Sequence, residues 1–164
     1  MHSLIFFVLS FLLHFRSVFA TNIPPLPQIE LLATGTLDID LIKLIDVPLG
    51  GRVSAKINSG ALYNPNGTLA AVVVEGTGIG NGILATDDIF IASMIFTLQW
   101  TADDTYAYVE VRGIGQQFVH DFSYIYVETN SNVWSNMNSR FLMANMTFPD
   151  IGPPIMTVLG VVGG

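Results

Sequence analysis

Residues 52–58 read Arg-Val-Ser-Ala-Lys-Ile-Asn, a strict alternation that puts Arg52, Ser54, Lys56 and Asn58 on one face and Val53, Ala55 and Ile57 on the other. Period-two alternation of this kind marks a strand buried on one side. Short alternating runs rich in Val, Ile, Thr, Phe and Tyr recur at 29–41, 89–100, 105–112, 118–129 and 155–162. The continuous apolar run at 69–75 predicts one more strand. Between these runs, Asn64-Pro65-Asn66-Gly67 is a strong turn, and Thr101-Ala102-Asp103-Asp104 suits a hairpin joining 89–100 to 105–112. Gly35 marks a bend, so 29–41 is one long strand or a pair. The glycines of 76–82 predict a loop too flexible for regular structure. No stretch holds a helical period for three turns, and only 133–144 offers a turn or two of helix. Seven or more strands at hairpin spacing predict an all-β domain, a sandwich or a barrel.

The first twenty residues break the pattern. Residues 4–13 are an apolar run of ten, the length of a signal-peptide h-region. The roughly 20 residues that span a bilayer as a helix are not there. Val18-Phe19-Ala20 then offers small or modest side chains at the −3 and −1 positions of a cleavage site, although Met1-His2-Ser3 carries no Lys or Arg. We therefore expect a signal peptide at 1–20 and one domain at 21–164, secreted and with no membrane attachment once the leader is removed. Two glycosylation sequons, at Asn66 and Asn145, agree with a secretory route.

Composition narrows the chemistry. Of the 164 residues 51% are hydrophobic and 12% charged, so the chain has the apolar surface to fold and is not disordered. There is no cysteine, which removes a disulfide framework and thiolate metal sites. Thirteen acidic residues against six basic ones make nucleic acid an unsuitable partner. Removal of the leader takes His2 and His14 and leaves His120, so a zinc site built on nitrogen ligands cannot be assembled and no metal is expected.

Several segments in register resemble the DUF3237 (UPF0311-like) proteins, especially their secreted fungal branch. They are Thr34-Gly35-Thr36-Leu37-Asp38-Ile39-Asp40, Pro48-Leu49-Gly50-Gly51-Arg52, Asn58-Ser59-Gly60 and Pro65-Asn66-Gly67-Thr68-Leu69. Further along come Leu98-Gln99-Trp100-Thr101 with Asp103-Asp104, the stretch 106–115, Val127-Glu128-Thr129 and Asn138-Ser139-Arg140-Phe141. The resemblance covers nearly all of 21–164. It implies a small single-domain antiparallel β-barrel, lipocalin-like in general form, in a family without a broadly assigned activity. Bacterial relatives tend to carry Gly-Gly-Asp-Trp where this chain has Glu75-Gly76-Thr77-Gly78, and Asp-Ala-Arg where it has Ser93-Met94-Ile95. Any site built on those charged groups is missing here.

Candidate chemistry is sparse. The glycine run 76–82 lacks a following Lys-Ser or Lys-Thr and is not a phosphate loop. Asp87-Asp88 and Asp103-Asp104 lack the alternating spacing of a calcium loop, and turn formation explains both pairs. No Gly-x-Ser-x-Gly elbow supports a serine hydrolase, and no motif asks for a cofactor. The informative feature is an aromatic stripe. Tyr106, Tyr108, Glu110 and Arg112 share one face of 105–112, and Phe118, His120, Phe122, Tyr124, Tyr126 and Glu128 share one face of 118–129. Turned inward, these faces line a cavity for a small apolar or aromatic molecule, with Glu110 and His120 as proton-transfer groups and Arg52 as an anion clamp. The alternative puts Val119, Ser123, Ile125 and Val127 inside and leaves the tyrosines outside. Three functions follow: a secreted binding barrel, a cyclase or isomerase working by shape and proton transfer, or a non-catalytic protein of the cell surface. The sequence leaves the oligomeric state open.

Overall fold

Period-two alternation is realised as nine strands: β1 (Gln28–Val47), β2 (Gly50–Tyr63), β3 (Leu69–Val73), β4 (Gly78–Leu84), β5 (Ile89–Trp100), β6 (Tyr106–Gln116), β7 (His120–Thr129), β8 (Leu142–Thr147) and β9 (Ile155–Val162). The computed structural model describes residues 26–48 and 50–162, so the expected leader at 1–20 lies outside the described residues. Residues Ile29–Val161 form one compact unit.

The strands follow one another around a ring from β5 through β6, β7, β8 and β9 to β1, which also pairs with β2. Closure comes from β3 and β4, which share one lane between β2 and β5. The first covers Ala61–Tyr63 of β2 and Leu98–Trp100 of β5; the second covers Gly51–Ile57 and Phe90–Ile95. The result is a ring of eight lanes, an antiparallel barrel.

Two expectations about glycine need correction. Residues 76–82 are not a loop: from Gly78 on they are strand β4. Gly78 and Gly80 point inward and are buried, and a Cβ on Gly78 would stand 2.5 Å from the Cβ of Ile57. Glycine here is a device for close packing inside a narrow ring rather than for flexibility. Gly35 is likewise no bend. It lies within a continuous β1 opposite Leu62, and a Cβ there would sit 2.0 Å from the carbonyl oxygen of Ala61. The helix offered by 133–144 shrinks to a single 3-10 turn at Ser135–Ser139. Strand β8 takes the rest, because Leu142, Ala144 and Met146 alternate inward.

Side-chain size grades the interior from one end to the other. On β5 the inward positions run Ala92, Met94, Phe96, Leu98, Trp100, all buried. On β6 they run Ala107, Val109, Val111, Gly113, Gly115, and on β7 Asp121, Ser123, Ile125, Val127. Antiparallel pairing sets Phe96 beside Val109 and Val127, and sets Ala92 beside Gly113 and Ser123. One end is therefore filled with large apolar groups. At the other, the inward rows of these strands end in small residues, Ala92, Gly113, Gly115 and Ser123.

The filled end is closed by a plug. Trp100 stacks on Trp134 with ring centroids 4.9 Å apart, and Met137 is buried beneath. The Trp100 indole donates to Thr129 Oγ1 at 2.9 Å, and that hydroxyl donates to the carbonyl of Tyr106 at 2.8 Å. Ser131, 1% exposed, donates to the Asp103 carboxylate at 2.6 Å. That bond, followed by one from the Thr105 hydroxyl, holds the Asp103 carboxyl below its usual value. In this structure Asp103 organises a turn, the role expected for it.

Candidate functional site

Small inward side chains leave space, and the hollow end holds a cavity of about 430 Å³. Its walls come from β1, β2, β4, β5 and β8, with Ala55, Gly80, Ala92, Met94 and Met146 inside. The mouth is formed by the β6–β7 turn and by the segment between β8 and β9. Phe118 occupies that turn with φ at 56°, a left-handed conformation uncommon for a large side chain, and its ring meets Phe148 edge-on at 6.1 Å. Pro149, Asp150 and Pro154 complete the rim.

One charged side chain sits in the wall. Asp121 is 3% exposed, and its Oδ1 accepts a hydrogen bond from the Ser123 hydroxyl at 2.8 Å. Room for this pair is made by β6. A Cβ on Gly113 would stand 2.1 Å from both Asp121 Oδ1 and Ser123 Oγ, and one on Gly115 would strike the backbone of β7. Burial raises the Asp121 carboxyl above its ordinary value of 3.8, against smaller opposing effects of the Ser123 hydrogen bond and the neighbouring His120. A carboxyl so placed can accept or donate one hydrogen bond inside a mostly apolar chamber. It can also move a proton.

The aromatic stripe expected to line this chamber is on the other side of the wall. Tyr106, Tyr108, Phe122, Tyr124 and Tyr126 are all exposed, at 53%, 39%, 60%, 42% and 37%. Arg52 is exposed as well, across the sheet from Ile45 and Ile83. Glu110 is half-buried on the outer face and forms an ion pair with Arg112 at 2.5 Å. His120 is half-buried at the start of β7, edge-on to Phe122 at 5.8 Å. The expected Glu110–His120 pair is not formed: Glu110 lies opposite Tyr126 and His120 opposite Gln116. Six residues of β7 separate those positions, about 20 Å of strand. Only Phe118 of the stripe reaches the cavity, from the turn.

The inversion has a steric cause. An eight-strand barrel is just wide enough for its own side chains. Phe96, Trp100, Leu37 and Ile57 already take the filled end, and three tyrosines from adjacent strands would not fit beside them. Glycine decides the hollow end, because Gly113 and Gly115 must face β7 at close quarters. With those fixed inward, period two sends Glu110, Arg112 and the tyrosines out. Asp121 was passed over in the sequence, since a lone Asp between His and Phe reads as surface. The available signal was its parity with Ser123, Ile125 and Val127.

The sequons are placed differently. Asn66 is exposed in the turn between β2 and β3, where its Oδ1 accepts the Thr68 amide at 3.0 Å. Asn145 lies half-buried within β8, between Phe122 and Thr157, and its carboxamide oxygen is buried without a hydrogen-bond partner.

Fold and cavity together define a small antiparallel barrel, closed at one end and hollow at the other. Solved structures with this fold include a protein of unknown function from Clostridium acetobutylicum ATCC 824, 21% identical, with a TM-score of 0.70 over 84% of this chain and 100% of that one. A β-barrel-like protein from Acinetobacter baumannii AYE is 15% identical, with a TM-score of 0.68 over 87% of this chain and 100% of its own. An enzyme from Penicillium herquei is 15% identical, with a TM-score of 0.65 over 86% of this chain and 98% of its own. No protein-family model matches the chain, and no curated protein matches its sequence.

Proposed function

We propose that this barrel binds one small, largely apolar organic molecule in its hollow end, anchored by a hydrogen bond to Asp121, and that it does so outside the cytoplasm. The observation that carries the reading is the buried carboxyl of Asp121 in a chamber of about 430 Å³ walled mostly by apolar residues, with Asn81, Gln117 and the exposed Asp150 as its other polar lining. Binding sites for small molecules have this make-up, a mostly apolar concavity with few polar groups. The apolar leader and the two sequons support the location, and the DUF3237 resemblance agrees with a barrel adapted to a ligand. The experiment is titration with a neutral fluorophore, N-phenyl-1-naphthylamine. Saturable one-site binding is expected, with loss of at least tenfold in affinity when Ala92→Phe puts a ring into the chamber. Circular dichroism confirms that the variant still folds. Equal binding by folded Ala92→Phe would place the ligand elsewhere and refute the reading.

The raised carboxyl of Asp121 favours a second reading, an isomerase or cyclase on the same cavity. Asp121 would take a proton from a hydroxyl or an activated carbon and return it to another carbon of the same molecule. No oxidant or second substrate is needed for such a step. The enzyme from Penicillium herquei shares the fold, which is compatible with chemistry on this scaffold. Asp121→Asn, with fluorophore binding intact but turnover of a bound compound lost, would separate the enzyme from the binding barrel.

A further inference from the structure

The outer wall of β4–β7 presents an unusual surface for a barrel. Arg52, Ile83, Ile91, Ile114 and Phe122 are direct cross-strand neighbours in one row. Lys56, Ile79, Ile95, Glu110 and Tyr126 form a second. Ile79 and Ile114 are each 57% exposed, so these are not grazing contacts with water but whole apolar side chains. The acidic groups of the face are partnered within it, while Arg52 and Lys56 stand at its β2 edge. Glu110 pairs with Arg112, and the Tyr126 hydroxyl donates to Glu128. The eight exposed side chains of these two rows present on the order of 800 Å², the share one partner contributes to a stable protein interface.

We propose that this face is a homodimer interface whose two-fold axis runs along β5. The face is complementary to itself in shape. A groove of about 440 Å³ runs from Arg52 and Ser54 on β2, past Asn81 and Ile83 on β4, across Ile91 and Ser93 on β5 to Arg112 on β6. At the β7 margin of the face stand the exposed rings of Phe122 and Tyr124. Since β5 is the middle of the lanes β2, β4, β5, β6, β7, rotation about it lays the ridge of each copy on the groove of the other. Charge follows the same rule: Arg52 and Lys56 sit on the groove margin, Glu128 on the ridge margin. A lipid bilayer is the less suitable occupant. The net charge is −7, and Asn145, Thr147 and Thr157 on β8 and β9 interrupt any apolar girdle around the barrel.

The test is sedimentation equilibrium on the purified protein. A dimer is expected for the wild type, and Ile91→Glu with Ile114→Glu, which buries unpaired charge only in the dimer, is expected to weaken it at least 100-fold. Ile151→Glu, an exposed position outside the face, is the control and leaves the dimer intact. Because the chain has no cysteine, Ser93→Cys on the axis strand gives a clean probe, and a short bismaleimide is expected to join two copies through it. A monomeric wild type at 100 micromolar would overturn the proposal. So would a dimer untouched by the two glutamates, failure of Ser93→Cys to cross-link, or flotation of the wild type with phosphatidylcholine vesicles. Fluorophore binding is read separately, so loss of the dimer does not bear on the cavity.

Discussion

The two ends of the barrel are built on the same strands yet do opposite things. At one, Phe96, Leu98, Trp100, Ile125 and Val127 fill the ring, and Trp134 stacks over it. At the other, Ala92, Gly113, Gly115 and Ser123 occupy the same inward rows a few residues along, and a chamber opens. Strands β5, β6 and β7 run through both ends in one unbroken register. Along these three strands the difference is side-chain volume, which shows how a barrel is divided into a stabilising half and a half free to hold a guest. Asp121 sits in the second half, where the cost of burying a carboxyl falls on the less tightly packed region.

Substitutions of volume should expose that division most strongly. Phe96→Ala, in the filled end, is expected to destabilise the protein by about 3–5 kcal/mol in urea denaturation. Ala92→Phe, in the hollow end, is expected to cost under about 1 kcal/mol, because the ring enters space already open. Similar losses in the two variants would show that the chamber closes in solution.

A smaller effect, dependent on pH, is expected at Asp121. Its carboxyl is raised above 3.8 in the folded state, chiefly by burial, so the folded protein holds that proton more tightly than the unfolded chain. The stability this confers is complete below 3.8 and is lost as pH rises through the folded value. Asp121→Asn should therefore gain on the wild type from acid towards neutral pH, read from urea midpoints across that range. A difference independent of pH would mean that water reaches the carboxyl.

The smallest expected effect concerns the ends' exteriors. In a secreting eukaryotic host, glycan is expected on the exposed turn at Asn66, and the half-buried Asn145 in β8 is expected to stay bare. Mass spectrometry of Asn66→Gln should show a single unmodified species, with stability lower by about 0.5–1 kcal/mol for the lost turn hydrogen bonds. Glycan remaining on that variant would put Asn145 in a more open setting than its strand provides.

Much of this was legible in the order of residues. Alternation at 52–58 gave β2 its two faces, and 89–100 read as a strand, because a residue's parity on a strand is a local property. Turn chemistry at Asn64-Pro65-Asn66-Gly67 and at 101–104 fixed which strands follow one another. Parity does not say which face is inside, however, and that choice rests on contacts between distant segments. Gly113 and Gly115 must meet β7, Gly78 must meet Ile57, and the volume of Phe96 and Trp100 must be shared around the ring. Those constraints turned the tyrosines of β6 and β7 outward and Asp121 inward. The sequence by itself determined an all-β chain and most of its strands, but β4 read as a loop and β8 as a turn of helix. Only the closed ring decided which side chains line the chamber, because interior volume is a property of all eight lanes at once and of no single strand.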